Sequence, residues 1–320
     1  MRALATLAGA LAVAGLVFFA DLVHAQNVSI ITTPVGSFSN SAGSAMAKVL
    51  VDKAGLRAVV QAQASTGFEE TVSGTADFNV SNSFDATFFA TGTGDYQARG
   101  PHKNLRVVGA LIPYRVAMHV RADSPVQRIA ELKGKRLSSG FNAQKTIHRI
   151  IEAHLANAGL SYKDVEQVPA PNVVRQVDDF ISGKTDAFFF ALGSAAIKQA
   201  NAAVGGVRVL PVDTSAEAMK RVEALLPGAY TIEVKPAPNI EGVAQPTPLI
   251  AFDMVMVVRA ELGDDVVYKV AKALHDNKAD LQATFPPFAL FDPAKMAKPV
   301  QGVPFHPGAV KYFKEIGLSK

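Results

Sequence analysis

The sequence predicts an α/β protein of two lobes, with a ligand cleft between them and two extended strands that cross from one lobe to the other. Short apolar runs alternate with segments of helical period along the chain, which is the pattern of an α/β fold. This rhythm restarts after residue 116, so we expect a second α/β unit inserted into the first. The 320 residues are enough for two domains that each bury a core.

The first 25 residues have the pattern of a signal peptide. Arg2 precedes a long apolar run, and Val23 and Ala25 are small residues at the −3 and −1 positions of a cleavage site. We expect cleavage after Ala25 and an exported protein. The alternative is an uncleaved membrane anchor, because the run is close to the roughly 18-residue minimum for a span. The chain has no cysteine, so we expect neither a lipid anchor nor disulfides.

The first unit begins with a strand over residues 28–32 and a helix over 41–56, in which Ala42, Met46 and Val49 recur on one face. The other predicted elements of this unit are strands over 58–62, 77–81 and 104–112 and a short helix over 66–74. Alternation of strands with helices predicts a largely parallel sheet.

The second unit repeats the alternation. Its predicted strands cover residues 115–123, 135–139, 165–169, 186–192 and 207–212, and its predicted helices cover 146–158, 172–183, 194–204 and 215–225. A long strand over 248–260 then leads to helices over 264–277 and 308–317. We therefore predict a signal peptide over 1–25, a first lobe formed by 26–115 plus 249–320, and a second lobe formed by 116–248.

Composition and motifs favour binding over catalysis. The net charge is +4, without a long basic run or interleaved aromatic residues, so nucleic acid is not an expected partner. No G-x-S-x-G elbow is present, and Gly183-Lys184-Thr185 lacks the first glycine of a P-loop because position 178 is Asp. The histidines are scattered, so we predict no metal site, no cofactor and no catalytic residue.

Polar loops follow several predicted strands, immediately before helices. The carboxyl ends of strands in α/β folds face the ligand cleft, and helix N-termini favour carboxylates. Each polar residue has an alternative role as an ordinary helix cap, each basic residue as a surface charge, and each aromatic residue as core. The predicted ligand-binding residues are Ser37, Phe38, Ser65, Thr66, Ser81, Asn82, Tyr114, Arg115, Ser139, Gly140, Asn142, Gln144, Lys145, Leu192 and Gly193.

The C-terminal third resembles a known family. The segment "DDVVYKVAKAL" and the closing motif "PFHPGAVKYFKEIG" are similar to those of the TAXI-type solute receptors of TRAP transporters, as are "LKGKR" and "GKTDA" further upstream. This resemblance implies a periplasmic location and a periplasmic-binding-protein type II fold. It also implies hinge closure on a small organic anion, such as an amino acid, a dicarboxylate or another carboxylate, which is then delivered to a TRAP-type permease. We expect a monomer.

Three other functions stay open at this point. The chain could be the binding component of an ABC importer for aromatic or sulfonated compounds. It could also be a secreted enzyme or a sensor built on the same two lobes. An enzyme would require a residue with a displaced pKa in the cleft.

Overall fold

The computed structural model describes residues 26–319, so the predicted signal peptide lies outside the described residues. The strands are β1 (Asn27–Thr32), β2 (Arg57–Ala62), β3 (Phe78–Asn82), β4 (Leu105–Arg121), β5 (Arg136–Gly140), β6 (Glu166–Ala170), β7 (Ala187–Ala191), β8 (Val207–Val209), β9 (Tyr230–Val234) and β10 (Thr247–Arg259). The helices are α1 (Phe38–Ala54), α2 (Phe68–Val72), α3 (Ser83–Thr91), α4 (Lys145–Asn157), α5 (Arg175–Ile181), α6 (Ala195–Ala203), α7 (Ala216–Leu225), α8 (Asp264–Asp276), α9 (Lys278–Thr284) and α10 (Pro307–Glu315).

The ten strands found in residues 26–319 belong to one sheet that runs through both lobes. Its order is β2-β1-β3-β10-β4-β7-β5-β6, with β8 paired to β4 and β9 paired to β10. Lobe 1 contains β1, β2 and β3, and lobe 2 contains β5, β6 and β7. These outer strands pair in parallel with one another, whereas β4 and β10 are antiparallel to every neighbour. The expected largely parallel sheet is therefore mixed, because two strands reverse direction to cross between the lobes.

The first crossing is one continuous strand. The sequence predicted separate strands over 104–112 and 115–123, but β4 runs unbroken from Leu105 to Arg121. Pro113 stands opposite Asp253 of β10, and the pairing register shifts between Asp253 and Val255. Proline cannot donate to the ladder, so such an irregularity is where a long strand tolerates it. The chain therefore passes between the lobes without a loop.

Three elements were absent from the predictions: α3, α9 and β9. Residues 84–90 of α3 are all buried. The helix therefore has no solvent-facing polar side, and its sequence lacks the separation of apolar and polar residues onto two faces that identifies an amphipathic helix. By contrast, α1 was predicted, although it begins three residues earlier, where Ser37 accepts a hydrogen bond from the amide of Asn40 at 3.2 Å.

The C-terminal helix α10 packs on α8. His306 caps it by accepting a hydrogen bond from the amide of Gly308 at 3.1 Å, and Pro307 occupies its first position. Tyr312 and Phe313 are fully buried, and the hydroxyl of Tyr312 donates to Asp276 at the end of α8 at 2.6 Å. His306 therefore has a structural role. Across residues 26–319, no helix combines the length and apolar character needed to cross a membrane.

Candidate ligand-binding cavity

A cavity of about 90 Å³ lies between the two lobes. Lobe 1 contributes the loop after β1, the end of β3 and the first turn of α3, and lobe 2 contributes the first turns of α4 and the end of β7. The crossing strands supply Tyr114, Val116 and Phe252. Neither lobe forms these walls alone.

Hydroxyl groups cover the side of the cavity at the start of α1. Thr33, Ser37 and Ser39 all line it, and the hydroxyl of Thr33 donates to that of Ser37 at 2.8 Å. The amide of Thr33 donates to the hydroxyl of Ser39 at 3.2 Å. Serine and threonine hydroxyls both donate and accept, so this cluster can bind either a donor or an acceptor group of a ligand.

Aromatic rings form another wall. The ring of Phe38 lies 5.1 Å from that of Tyr114, and the ring of Tyr114 lies 5.5 Å from that of Phe252, measured between centroids. Phe189 and Phe190 of β7 also line the cavity. A ligand here contacts mostly apolar surface, with few polar groups to orient it, as is usual for small-molecule sites.

Asp85 is the one charged residue among the described residues that line the cavity. It lies in the first turn of α3 and is 1% exposed. Its Oδ2 accepts hydrogen bonds from the hydroxyls of Thr146 at 2.6 Å and Tyr96 at 3.4 Å, whereas its Oδ1 has no partner within the described part of the chain. Burial raises the pKa of Asp85 to about 7, although the hydrogen bond from Thr146 opposes this change.

Asp85→Asn is expected to stabilise the ligand-free protein more at pH 8 than at pH 5. An unfolded aspartate loses its proton near pH 4, whereas the pKa of folded Asp85 is about 7. Between these values the folded state holds the additional proton, so the free energy of unfolding falls as the pH rises through this window. Asparagine does not titrate, and we expect a gain on the order of 2–4 kcal/mol at pH 8. Thermal unfolding at both pH values measures it, and equal gains at the two would contradict it.

The lobes are held together beside the cavity by contacts between α4 and lobe 1. Thr146 of α4 donates to Asp85, as described above, and one turn later the guanidinium of Arg149 binds both carboxylate oxygens of Asp95 at 2.7 and 3.1 Å. The amide of Ala196, at the start of α6, donates to the carbonyl of Gly36 in lobe 1 at 3.3 Å. The structure is therefore the closed arrangement of the two lobes.

Seven of the predicted ligand-binding residues line this cavity. They are Ser37, Phe38, Thr66, Ser81, Asn82, Tyr114 and Gln144. The side-chain oxygen of Gln144 accepts a hydrogen bond from the amide of Val173 at 2.8 Å, which orients this residue at the start of α4. They lie in loops after strands, at the end of β3, at the start of α1 or in the crossing strand β4.

The other eight lie outside the cavity lining: Ser65, Arg115, Ser139, Gly140, Asn142, Lys145, Leu192 and Gly193. Side chains of a strand alternate between faces, so Tyr114 faces the cavity while Arg115, the next residue of β4, does not. Arg115 and Gly193 line a separate depression together with Lys198. Lys145 and Asn142 are exposed, and Leu192 belongs to the core.

The cavity also contains residues that were absent from the prediction, notably Thr33, Ser39, Asp85, Thr146 and Phe252. Thr33 and Ser39 lie in the same short stretch between β1 and the first turn of α1 as the predicted Ser37. Asp85 lies in a helix that was not predicted. Among residues 26–319, no group of three His, Asp or Glu side chains is placed to hold a metal ion.

Comparison with known proteins gives a family and a fold. The family model described as "NMT1-like family" matches residues 30–317. The periplasmic binding protein BugD is 15% identical, with 92% of this chain and 99% of that chain covered and a TM-score of 0.60. The alkanesulfonate-binding protein SsuA from Xanthomonas axonopodis pv. citri, bound to MOPS, is 15% identical over 93% and 96%, with a TM-score of 0.50.

A third similar structure is the ligand-binding component of an ABC-type import system from Staphylococcus aureus with zinc bound. It is 11% identical over 92% of this chain and 93% of that chain, with a TM-score of 0.52. At these identities the similarity establishes the fold, and the expected two-lobed architecture of periplasmic binding proteins is confirmed.

Proposed function

The chain belongs to the NMT1-like family, and on that premise we propose that it is a periplasmic solute receptor. It captures a small organic molecule between its lobes and delivers it to a membrane importer. The observation that carries this proposal is the cavity of about 90 Å³ whose walls come from both lobes. A ligand enters such a cavity when the lobes separate and is enclosed when they close.

The ligand is small. The cavity volume lies well below the roughly 300–1,000 Å³ of sites for drug-sized molecules, so the ligand has few heavy atoms. The sequence predicts an anion, and the starts of α1 and α4 both contribute residues to the cavity lining. Arg115 and Lys145, the cations predicted to bind it, lie outside the cavity lining.

Two kinds of importer are candidates. The C-terminal motif supports a TRAP-type permease. The similarity to an ABC-type import component and to an alkanesulfonate-binding protein supports the alternative, an ABC importer, with sulfonated compounds as a possible ligand class. The comparisons with solved structures favour this alternative over the TRAP type.

Binding without turnover is the first test of receptor function. We expect thermal unfolding of residues 26–320 to shift upward with one class of small organic compounds, and the compound to be recovered unchanged. A ligand at 100 times its dissociation constant adds about 2.7 kcal/mol to the free energy of unfolding. Conversion of the compound would instead indicate an enzyme.

Ala191→Leu tests whether the cavity between the lobes is the binding site. Ala191 lines the cavity and is buried, so the larger side chain should occupy the ligand's space and abolish the shift. Ala195→Leu is the matched control, because Ala195 is exposed and lies outside the cavity. A shift that persists unchanged in Ala191→Leu would place the ligand elsewhere.

Uptake by membrane vesicles separates the two importers. With the purified protein and its ligand added, ATP-driven uptake without an ion gradient would identify an ABC importer. Uptake driven by an ion gradient without ATP would identify a TRAP-type permease.

A further inference from the structure

The cavity has a carboxylate but no cation of its own. Among the described residues that line it there is no Lys, Arg or His, and Asp85 is the one charged residue. Its Oδ1 is buried and has no partner in the described part of the chain. A buried polar atom without a partner costs about 1–3 kcal/mol and more when charged, so a group that binds Oδ1 would be strongly favoured.

The charged and hydrogen-bonding groups around Asp85 either bind its Oδ2 or are paired with another residue. Tyr96, in the turn after α3, and Thr146 of α4 both donate to Oδ2. The guanidinium of Arg149 is bound by Asp95 through two hydrogen bonds and lies over the ring of Phe88 at 5.1 Å. Asp95 adds a second negative charge nearby, which further raises the pKa of Asp85. None of these groups reaches Oδ1.

We propose that the ligand itself supplies the missing cation, as a small organic ammonium group that donates a hydrogen bond to Oδ1 of Asp85. Its apolar part would then pack against Phe38, Tyr114 and Phe252, which line the same cavity. Aromatic rings attract cations, by about 0.5–2 kcal/mol in desolvated sites, and the hydroxyls of Thr33, Ser37 and Ser39 can accept the remaining N–H groups. This assignment rests on the proposed receptor function and names its ligand class.

A simple anion is disfavoured by the same geometry. A ligand carboxylate beside ionised Asp85 would place two negative charges in one partly apolar site, which raises the pKa of at least one of them strongly. An anion would therefore bind together with a proton on Asp85, and its affinity would fall as the pH rises. An ammonium ligand has the opposite dependence, because it needs Asp85 ionised.

The test uses two matched series of probes, linear alkylammonium ions of one to six carbons and alkyl carboxylates of the same lengths. Thermal shift and calorimetry on residues 26–320 measure binding at pH 5.5 and pH 8. Alkylammonium ions stay protonated over this range, so any change reports on the protein. We expect at least one alkylammonium ion to bind, at least tenfold more tightly at pH 8 than at pH 5.5.

Two variants assign the effect to Asp85. Asp85→Asn keeps the size of the side chain and removes its charge, and we expect it to lower alkylammonium affinity at pH 8 by tenfold or more. Asp178→Asn is the control, because Asp178 is half exposed on α5 and is not part of the cavity lining, and we expect wild-type affinity. Equal affinity of Asp85→Asn and the wild type would overturn the inference.

The outcomes separate the inference from the receptor function. Binding of carboxylates alone, weakening as the pH rises, would overturn the inference and leave the receptor function standing. Native mass spectrometry of the freshly purified protein adds an independent criterion: a co-purified amine supports the inference, and a co-purified compound without one overturns it. If neither series binds, the inference fails, and the receptor function is then decided by the wider set of small organic compounds in the unfolding test above.

Discussion

Gly308→Ala is expected to lower the free energy of unfolding by about 3 kcal/mol or more. A Cβ atom at position 308 would overlap the carbonyl oxygen of Asp264 and lie 3.0 Å from the amide nitrogen of Tyr268. Both obstacles are backbone atoms of α8, so no side-chain rotation relieves them. The helix α10 would have to move away from α8, although Tyr312 and Phe313 anchor it in the core.

Thermal or urea unfolding measures this effect, and we expect a decrease in the midpoint temperature of roughly 5–10 °C. Gly263→Ala is the control. Gly263 precedes α8, and a Cβ there would meet no atom within 4 Å, so we expect a loss below about 1 kcal/mol. Similar losses in the two variants would show that α10 can accommodate a Cβ atom at position 308 without moving away from α8.

Arg149→Met is expected to weaken ligand binding by roughly tenfold and to favour the open arrangement of the lobes. The ion pair between Arg149 and Asp95 joins lobe 2 to lobe 1, and both side chains are only about one-fifth exposed, at 21% and 22%. Such a pair lies between exposed pairs, worth about 0.2–1 kcal/mol, and buried pairs, whose disruption costs about 3–5 kcal/mol. A loss of 1–2 kcal/mol from the closed state alone lowers apparent affinity by roughly 5–30-fold.

Calorimetry with a compound that stabilises the wild type measures the affinity, and small-angle X-ray scattering of the ligand-free protein measures lobe separation. The matched control is Arg136→Met. Arg136 binds both oxygens of Asp186 at 2.6 and 3.2 Å, but this ion pair lies within lobe 2. We expect it to alter stability and leave affinity within about twofold. Unchanged affinity and scattering in Arg149→Met would mean that this ion pair does not hold the lobes closed.

Much of the fold was predictable because its strands are short apolar runs between amphipathic helices. The exceptions have physical causes. The helix α3 buries every residue from 84 to 90, which removes the polar face that identifies a helix. The strand β4 continues through Pro113 because a register shift opposite this residue absorbs the lost hydrogen bond, and this compensation comes from β10, a distant part of the sequence.

The cavity was predictable at the level of loops and less so at the level of side chains. Ser81 and Asn82 face it because strand ends converge there, which follows from the fold. At the start of α4, however, Gln144 and Thr146 face the cavity while Lys145 between them faces solvent. Gln144 precedes the first helical residue, and it is oriented by the hydrogen bond that it accepts from the amide of Val173, a contact that depends on the fold. Asp85 gave no signal, because burial of a carboxylate depends on how the lobes meet.

The pairing of β3 with β10 has a consequence for the order in which the protein is assembled. Residues 78–82 of β3 pair with residues 254–258 of β10, so the sheet of lobe 1 lacks an internal strand until about four-fifths of the 320 residues have been synthesised. Contacts between such distant segments form slowly. Lobe 2 can complete its own parallel strands earlier, and the newly made chain therefore spends most of its synthesis with lobe 1 unfinished.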